Sequence, residues 1–487
     1  MVWILKKNES HLLNNELQNL FSATEAATSD PRCAARLKQH MQAVLLCSEE
    51  ATLTNLICLN GRQQMDWTAD YRLYSQDRVD ENVLFDATLQ ELLKVLPPAR
   101  PLVVALDDTL VRKTGVHIEG VSWRRDPLGP PFQTNLVRGQ RFLQFSAAWP
   151  LEEGSARMVP ILFHHAPTAK KPARNASDQD LAEYREARRQ RCLNTYAFED
   201  MNGLRDRCPR ERHIVFCGDG SFTNAPILKK LPEGCSYIGR IRKDAKLHHL
   251  FNTRSSTPKN GRPRRYGKEA PTPEQLRQDD EYPWQEISAF ASGKVHTFRV
   301  KTLTQILWRK TGTQKTLRMV VVAPVGYRLR KGAKLLYRQP AYLICTDENL
   351  PLEELLQYYL WRWGIEVNFR EEKTLLGAGE AHVRTASSNQ HLPAVIVAAY
   401  SLLWVAALRM KRKGFMPAII RPPRWRKKIK HKGTLPSTGD LLRTLRYEKW
   451  AASVCSATLD HFVNAPVPDT KSIKPLSCLR EVLRPAV

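Results

Sequence analysis

No two of the ten cysteines in this 487-residue chain are spaced C-x-x-C, and none sits at a paired Cys/His spacing. That excludes a zinc finger or ribbon, offers no disulfide framework, and suits a reducing cytosol. Internal repeats are missing too, which excludes solenoid and propeller arrays. Long apolar runs are scarce. The start, MVWILKKNESHLLNN, holds too short a run for a signal peptide. Only LPAVIVAAYSLLWVAAL, 392–408, lacks charge over 17 residues. It is at the short limit for a membrane span and rich in Ala, so it reads as a buried core helix and no membrane is expected as a partner.

Acidic residues are also in short supply. Against 75 Lys and Arg stand 49 Asp and Glu, a formal charge of +26, which points to a polyanionic partner, most often nucleic acid. The deficit is uneven. Residues 1–100 hold 10 Lys and Arg against 13 Asp and Glu, whereas residues 411–450 hold 13 against 2. The basic footprint therefore lies late in the chain, above all in RPPRWRKKIKHK at 421–432, as a DNA contact or a solvated tail. A hydrophobic content of 42% with 25% charged residues describes a folded, soluble protein, long enough for several domains.

Residues 1–95 read as mainly helical, as in DENVLFDATLQELLKVL, and show no helix-turn-helix signal. PPARP at 97–101 then interrupts the pattern. LVVALDDT is a continuous apolar run ending in two aspartates, the pattern of a buried strand whose end opens on a site. QRFLQFSAAW and RMVPILFHH predict neighbouring strands, and a polar helical segment follows at 176–206. RHIVFCGDGSF predicts a second buried strand ending at Asp219, and SYIGRIRK another. From about 245 to 350 the texture changes to loops and strands such as HTFRVKTL, LRMVVVAPV and AYLICT. The expected layout is a helical N-terminal domain (1–95), a mixed α/β core in two parts (96–244 and 351–410), a β-rich insertion between them (245–350) and a basic C-terminal region (411–487).

YYLWRWGIEVNFREEK (358–373) carries the chemistry. Tyr359, Arg362, Glu366 and Lys373 fall within a stripe of about 60° on one helix at ~100° per residue. Arg362, Glu366 and Arg370 are equally spaced for ordinary i,i+4 ion pairs on a solvated face. Three acids then occupy comparable places: Asp107 or Asp108 and Asp219 on strands, Glu366 on a helix. Singly, each has a bland explanation, since Asp107 and Asp108 can cap a turn, Asp219-Gly220 can close a hairpin, and Glu366 can pair with arginine. Together, three carboxylates conflict electrostatically unless a cation intervenes. Hard divalent ions such as Mg²⁺ or Mn²⁺ prefer such oxygen ligands, and two of them suit an in-line phosphoryl displacement. Arg and Lys beside them suit phosphates.

The run Tyr359-x2-Arg362-x3-Glu366-x6-Lys373 resembles the Y-R-E-K motif of bacterial insertion-sequence transposases of the DDE superfamily, in the IS-four-type group. LDDTLVRKTG resembles that group's first-aspartate motif, in which Asp precedes Thr, and so points to Asp108. GDGSF resembles the second-aspartate motif and points to Asp219. The resemblance spans roughly residues 100 to 385. It implies an RNase H-like core, a mixed sheet flanked by helices and interrupted by a β-rich insertion. It implies Asp108, Asp219 and Glu366 as catalytic and metal-binding residues for two Mg²⁺ or Mn²⁺ ions, with Tyr359, Arg362 and Lys373 binding DNA. The implied activity is cleavage at the 3′ ends of an element followed by strand transfer, on double-stranded transposon ends and target. A homodimer in the synaptic complex and a bacterial cytosolic location go with it. Members with this motif often form hairpinned ends with a flipped base stacked on an aromatic residue, a role for which Trp308, Tyr337, Trp361 and Trp363 are available. Two other readings stand beside it: an RNase H-like structure-specific nuclease that does not join DNA, and a decayed DNA-binding protein. The slightly acidic N-terminal domain departs from the usual role of such a domain in reading element ends.

Overall fold

A computed structural model describes residues 12–115, 117–126, 129–130, 135–251, 265–312, 315–330, 332–416 and 435–455. The first eleven residues, the basic run 421–432 and residues 456–487 lie outside them, and with these most of the expected basic C-terminal region.

Five helices come first: α1 (Leu13–Ser22), α2 (Pro31–Leu46), α3 (Leu53–Leu59), α4 (Thr68–Ser75) and α5 (Glu81–Val95). Their starts are written locally. Asp30 caps α2 ahead of Pro31, and the Asp80 side chain accepts from the Asn82 and Val83 amides at the start of α5. Next come β1 (Leu102–Arg112), β2 (Ser122–Arg125), β3 (Leu136–Pro150), β4 (Ala156–His165), α6 (Asp178–Gln190), α7 (Leu193–Arg207), β5 (Ile214–Gly218), α8 (Ala225–Lys229) and β6 (Cys235–Arg240). The segment that follows holds β7 (His248–Leu250), β8 (Tyr266–Glu269), α9 (Pro273–Gln278), β9 (Gln285–Ala291), β10 (Lys294–Leu307), β11 (Leu317–Val322), β12 (Gly326–Tyr327), β13 (Leu336–Tyr337) and β14 (Ala341–Cys345). The described chain ends with α10 (Leu352–Trp361), α11 (Gly364–Thr374), α12 (Ala386–Arg412) and α13 (Thr438–Cys455).

Twelve of the strands make one mixed sheet in the order β2-β3-β1-β5-β6-β14-β11-β10-β7-β8, with β4 on β3 and β9 on β10. The central strands β1, β5 and β6 are parallel, while β3 and β14 flank them antiparallel. The late strands therefore continue the core sheet: Leu343 of β14 pairs with Arg240 of β6. Helices cover both faces. Val104, Leu106 and Phe216 point into a core shared with α12 and the N-terminal helices, whereas Val103, Ala105 and Val215 point into a second core under α10 and α11. Alternation along a strand assigns those two sets to opposite faces.

α12 contains the uncharged segment 392–408. It is long and apolar enough to cross a membrane, yet its apolar window is wholly buried among α1, α2, α5 and β4. A helix apolar all round needs cover on all sides, and the first 95 residues provide much of it.

α11 is tied from below by buried polar groups. Glu371 Oε2 accepts from Arg157 Nη2 at 2.6 Å, Tyr400 Oη at 2.7 Å and Thr438 Oγ1 at 2.8 Å. The guanidinium of Arg157 lies 3.8 Å from the Trp404 ring centroid. Beside this network Glu372 is fully buried, with its Oε1 accepting from Gln144 Nε2 at 3.0 Å, and burial pushes its carboxyl up to about 8. Glu372 thus favours the neutral acid in the folded protein. The raised value means that this contribution to stability is present at low pH and lost as pH rises toward 8. We expect the melting temperature to fall between pH 5 and 8.5 and Glu372→Gln to flatten that fall, measured by thermal unfolding across pH; an unchanged slope in the variant would assign it to other groups.

Candidate active site

The two strand acids meet where the parallel pairing ends. β1 pairs with β5 through Ala105↔Cys217, and continuing that register by two residues sets Asp107 beside Asp219. Beyond this point β5 stops, but β1 runs on to Arg112 because β3 keeps pairing with it, Asp107↔Gln144 through Arg112↔Gly139. Asp107 and Asp108 therefore lie within a strand, not at its end as the apolar run alone suggests. The opening comes from the neighbour's termination.

Asp219 is not part of a hairpin, since β5 and β6 are parallel. Its Oδ1 accepts from the Ser221 amide at 2.8 Å and hydroxyl at 2.6 Å, and Thr223 Oγ1 donates to its backbone carbonyl at 2.7 Å. Gly218 just before it faces the Tyr237 hydroxyl, which would lie 2.2 Å from any Cβ placed there. Glycine is the residue this close approach allows.

The Y-R-E-K stripe is not one regular helix. Arg362 and Trp363 separate α10 from α11, and the turn is tightened by i→i−3 bonds from Ile365 to Arg362 and from Glu366 to Trp363. Gly364 sits in this turn against β4, where a Cβ would fall 2.4 Å from Met158 Cγ and 3.0 Å from its Cβ. The close seat on the sheet turns Arg362 inward, with only 12% of its side chain exposed, and leaves Glu366 at the rim with 41% exposed.

Arg362 joins the acids. Its Nη1 lies 3.5 Å from Asp107 Oδ2 and its Nη2 3.9 Å from Glu366 Oε1, with the guanidinium 5.5 Å from the Tyr359 ring centroid. Burial works against its charge, but Tyr359, Asp107, Glu366 and Asp219 together hold its proton more tightly than usual. The i,i+4 pair with Glu366 is thus present, but on a face turned into the sheet, and Arg370 reaches Glu371 instead. One turn further along, Lys373 Nζ donates to Thr109 Oγ1 at 2.6 Å. Asp107, Thr109, Arg362, Glu366 and Lys373 share one face.

Asp108, singled out by motif, points to the other face. Burial raises its carboxyl, the charge of Arg141 opposes this most, and Asp219 raises it further while Arg124 lowers it. Asp107 is pushed up to about 7, first by burial and then by the charge of Asp219, with Arg362 opposing. Carboxylates crowded beyond what one guanidinium offsets are the donor set a hard divalent cation suits. Among the described residues no three His, Cys, Asp or Glu side chains converge on a common ion position.

A cavity of about 1640 Å³ opens beside Asp219, bounded by Gly220 and Thr223 on one side and by Arg240, Lys243, Arg309 and Lys310 on others. Trp308 also lines it. Of the other aromatics, Trp361 is buried with its Nε1 donating to Gly154 O at 2.9 Å, while Trp363 and Tyr337 are exposed. The basic wall had no sequence signature, because its members come from two separated segments.

Residues 24–316 match the DDE superfamily endonucleases. The chain belongs to that family. No curated protein matches it. The matched span holds Asp107, Asp108 and Asp219 and ends before α10, so Glu366 stands on the geometry above. Endonucleases of this superfamily typically use divalent metal ions, and Asp107, Asp219 and Glu366 offer the oxygen donors such ions prefer without converging on one position.

Gly364 gives the test of this geometry. Met158 is 1% exposed and has no room to retreat, so Gly364→Ala must push α11 outward. Overpacking of this kind costs about 1–3 kcal/mol, and a 1 Å displacement of a catalytic group costs on the order of a hundredfold in rate. We expect a lowered melting temperature and a large loss of DNA cleavage; normal values of both would show that the close contact does not hold the helix.

Proposed function

We propose that this endonuclease is a transposase of the IS-four-type group, built on an RNase H-like core, which cuts the 3′ ends of an insertion sequence and joins them to target DNA. The observation that carries this reading is the gathering of Asp107, Asp219 and Glu366 around Arg362, with Tyr359 and Lys373 along the same face. The sheet order β4-β3-β1-β5-β6, with only β3 reversed among the four strands from β3 to β6, supports the RNase H-like assignment. Of the adjacent pair, the reading takes Asp107 as the ligand and leaves Asp108 on the opposite face, under the charge of Arg141.

Asp107, Asp219 and Glu366 would hold Mg²⁺ or Mn²⁺, two ions in the expected form, which would supply the Lewis acidity that phosphoryl displacement needs. The chain's own residues do the rest. Arg362 holds the carboxylates together and presents guanidinium N–H groups to a phosphate, for which its planar fork is suited. Lys373, whose proton affinity burial lowers, offers a compact positive charge about two turns beyond Glu366. Tyr359, packed against Arg362, closes that side. The basic cavity beyond Asp219 receives the DNA backbone, and Trp308 within it is the aromatic best placed for an unstacked base. The substrate is double-stranded DNA, the synaptic form a homodimer with one active site per end, and the compartment the bacterial cytosol.

The test is cleavage and joining of DNA carrying the element's terminal repeats, with Mg²⁺ or Mn²⁺, for the wild type, Asp107→Asn, Asp108→Asn, Asp219→Asn and Glu366→Gln. We expect wild type to cut at the repeat ends and to join a pre-cut 3′-hydroxyl end. Asp107→Asn, Asp219→Asn and Glu366→Gln should each lose at least roughly a hundredfold in rate while keeping DNA binding. Cleavage without joining would reduce the protein to a nuclease, and binding without cleavage to a DNA-binding remnant.

A further inference from the structure

Between Pro324 and Pro340 the chain leaves the main sheet and makes a hairpin of its own. β12 and β13 pair antiparallel, Gly326↔Tyr337 and Tyr327↔Leu336, and form a two-stranded sheet separate from the large one. The Arg338 amide donates to Val325 O at 2.9 Å and closes its base. Gly332, at φ +82°, takes a left-handed conformation at the turn, which glycine adopts without strain.

The hairpin does no packing for the fold. None of residues 326–338 belongs to either apolar core. Its apolar side chains instead point into solvent: Leu329 is 79% exposed and Tyr337 64%. Arg328, Arg330, Lys334 and Arg338 lie among them, and the segment 326–338 contains no Asp or Glu. Arg338 stacks over Tyr327, 5.1 Å from the ring centroid, and Arg328 donates to Ala333 O. Both contacts hold the ribbon as a ribbon.

Its position gives it an occupant. Pro324, Gln339 and Pro340 at its base line the same cavity that opens beside Asp219 and carries Arg240 and Lys243. Basic residues thus stand on both sides of the cavity rim, Arg240 and Lys243 in the cavity and Arg338 at the base of the hairpin. A two-stranded ribbon fits the major groove of duplex DNA, about 12 Å wide. Each paired strand is two residues long, Gly326–Tyr327 and Leu336–Tyr337, and Arg328, Arg330 and Lys334 lie between them.

We propose that the 326–338 hairpin is a DNA arm that lies in the major groove of the duplex whose end enters the basic cavity. Arg328, Arg330, Lys334 and Arg338 contact phosphates on either side, and Leu329 and Tyr337 pack on sugars and base edges. The inference rests on the cavity beside Asp219 receiving DNA, as proposed above.

The experiment uses the full chain with Arg328, Arg330, Lys334 and Arg338 all changed to Gln, and a second variant with Leu329→Ser and Tyr337→Ser. Binding is followed against salt on a duplex of roughly 40 base pairs and on one of roughly 8, with a log–log slope of about −0.9 per phosphate neutralised. On the long duplex the four-Gln variant should lose about 3–4 from the wild-type slope, and on the short one much less. Dimethyl sulfate, which reads guanine N7 in the major groove, should show protection by wild type that the Leu329→Ser, Tyr337→Ser variant loses. Equal slopes for wild type and the four-Gln variant on the long duplex overturn the arm. In that case Arg240→Gln with Lys243→Gln still weakens binding if the cavity reading is right. A wild type whose duplex binding ignores salt overturns both.

Discussion

One guanidinium sets the terms for the site. Arg362 sits among Asp107, Glu366 and Asp219 and beside Tyr359, with little of its side chain in water. Such a charge is tolerated only because several partners share it, and those partners are tolerated near one another only because it is there. The balance is incomplete: burial and the neighbouring Asp219 still press Asp107 toward its neutral form. A carboxylate site with one cation too few is poised for another. That is the physical content of the claim that these residues serve phosphate chemistry and not merely a surface ion pair.

Everything around the site fixes where Arg362 points. Gly364 lets α11 settle against Met158, and the tightened turn before it rotates Arg362 toward the sheet. From below, Glu371 is bound at once by Arg157 of β4, Tyr400 of α12 and Thr438 of α13. α12 is in turn held by α1, α2 and α5. The N-terminal helices therefore share an apolar core with the helix that braces the candidate site.

Much of the α/β architecture was legible in the residues. Continuous apolar runs such as LVVAL and IVFC became the buried parallel strands, because strands covered on both faces must be apolar at every position. Other features depend on partners distant in sequence. Two adjacent aspartates necessarily face opposite ways, and only the register with β5 says that Asp107 meets Asp219. The helical period runs unbroken through YYLWRWGIEVNF; the break at Arg362 coincides with the close seat of Gly364 on Met158, some two hundred residues earlier. The wall of Arg240, Lys243, Arg309 and Lys310 is assembled from segments that charge counting, which pointed to the late footprint, did not single out. That late footprint at 421–432 falls outside the described residues.

The central claim is that Asp107, and not its neighbour, completes the carboxylate set around Arg362. Mn²⁺ binding by the intact protein, followed by electron paramagnetic resonance, addresses it without depending on any DNA sequence. The account predicts that wild type and Asp108→Asn bind Mn²⁺ alike, and that Asp107→Asn loses most of that binding. If Asp108→Asn were the variant that lost Mn²⁺ while Asp107→Asn kept it, the face shared by Arg362 and Glu366 would not be the metal face, and the account would fail.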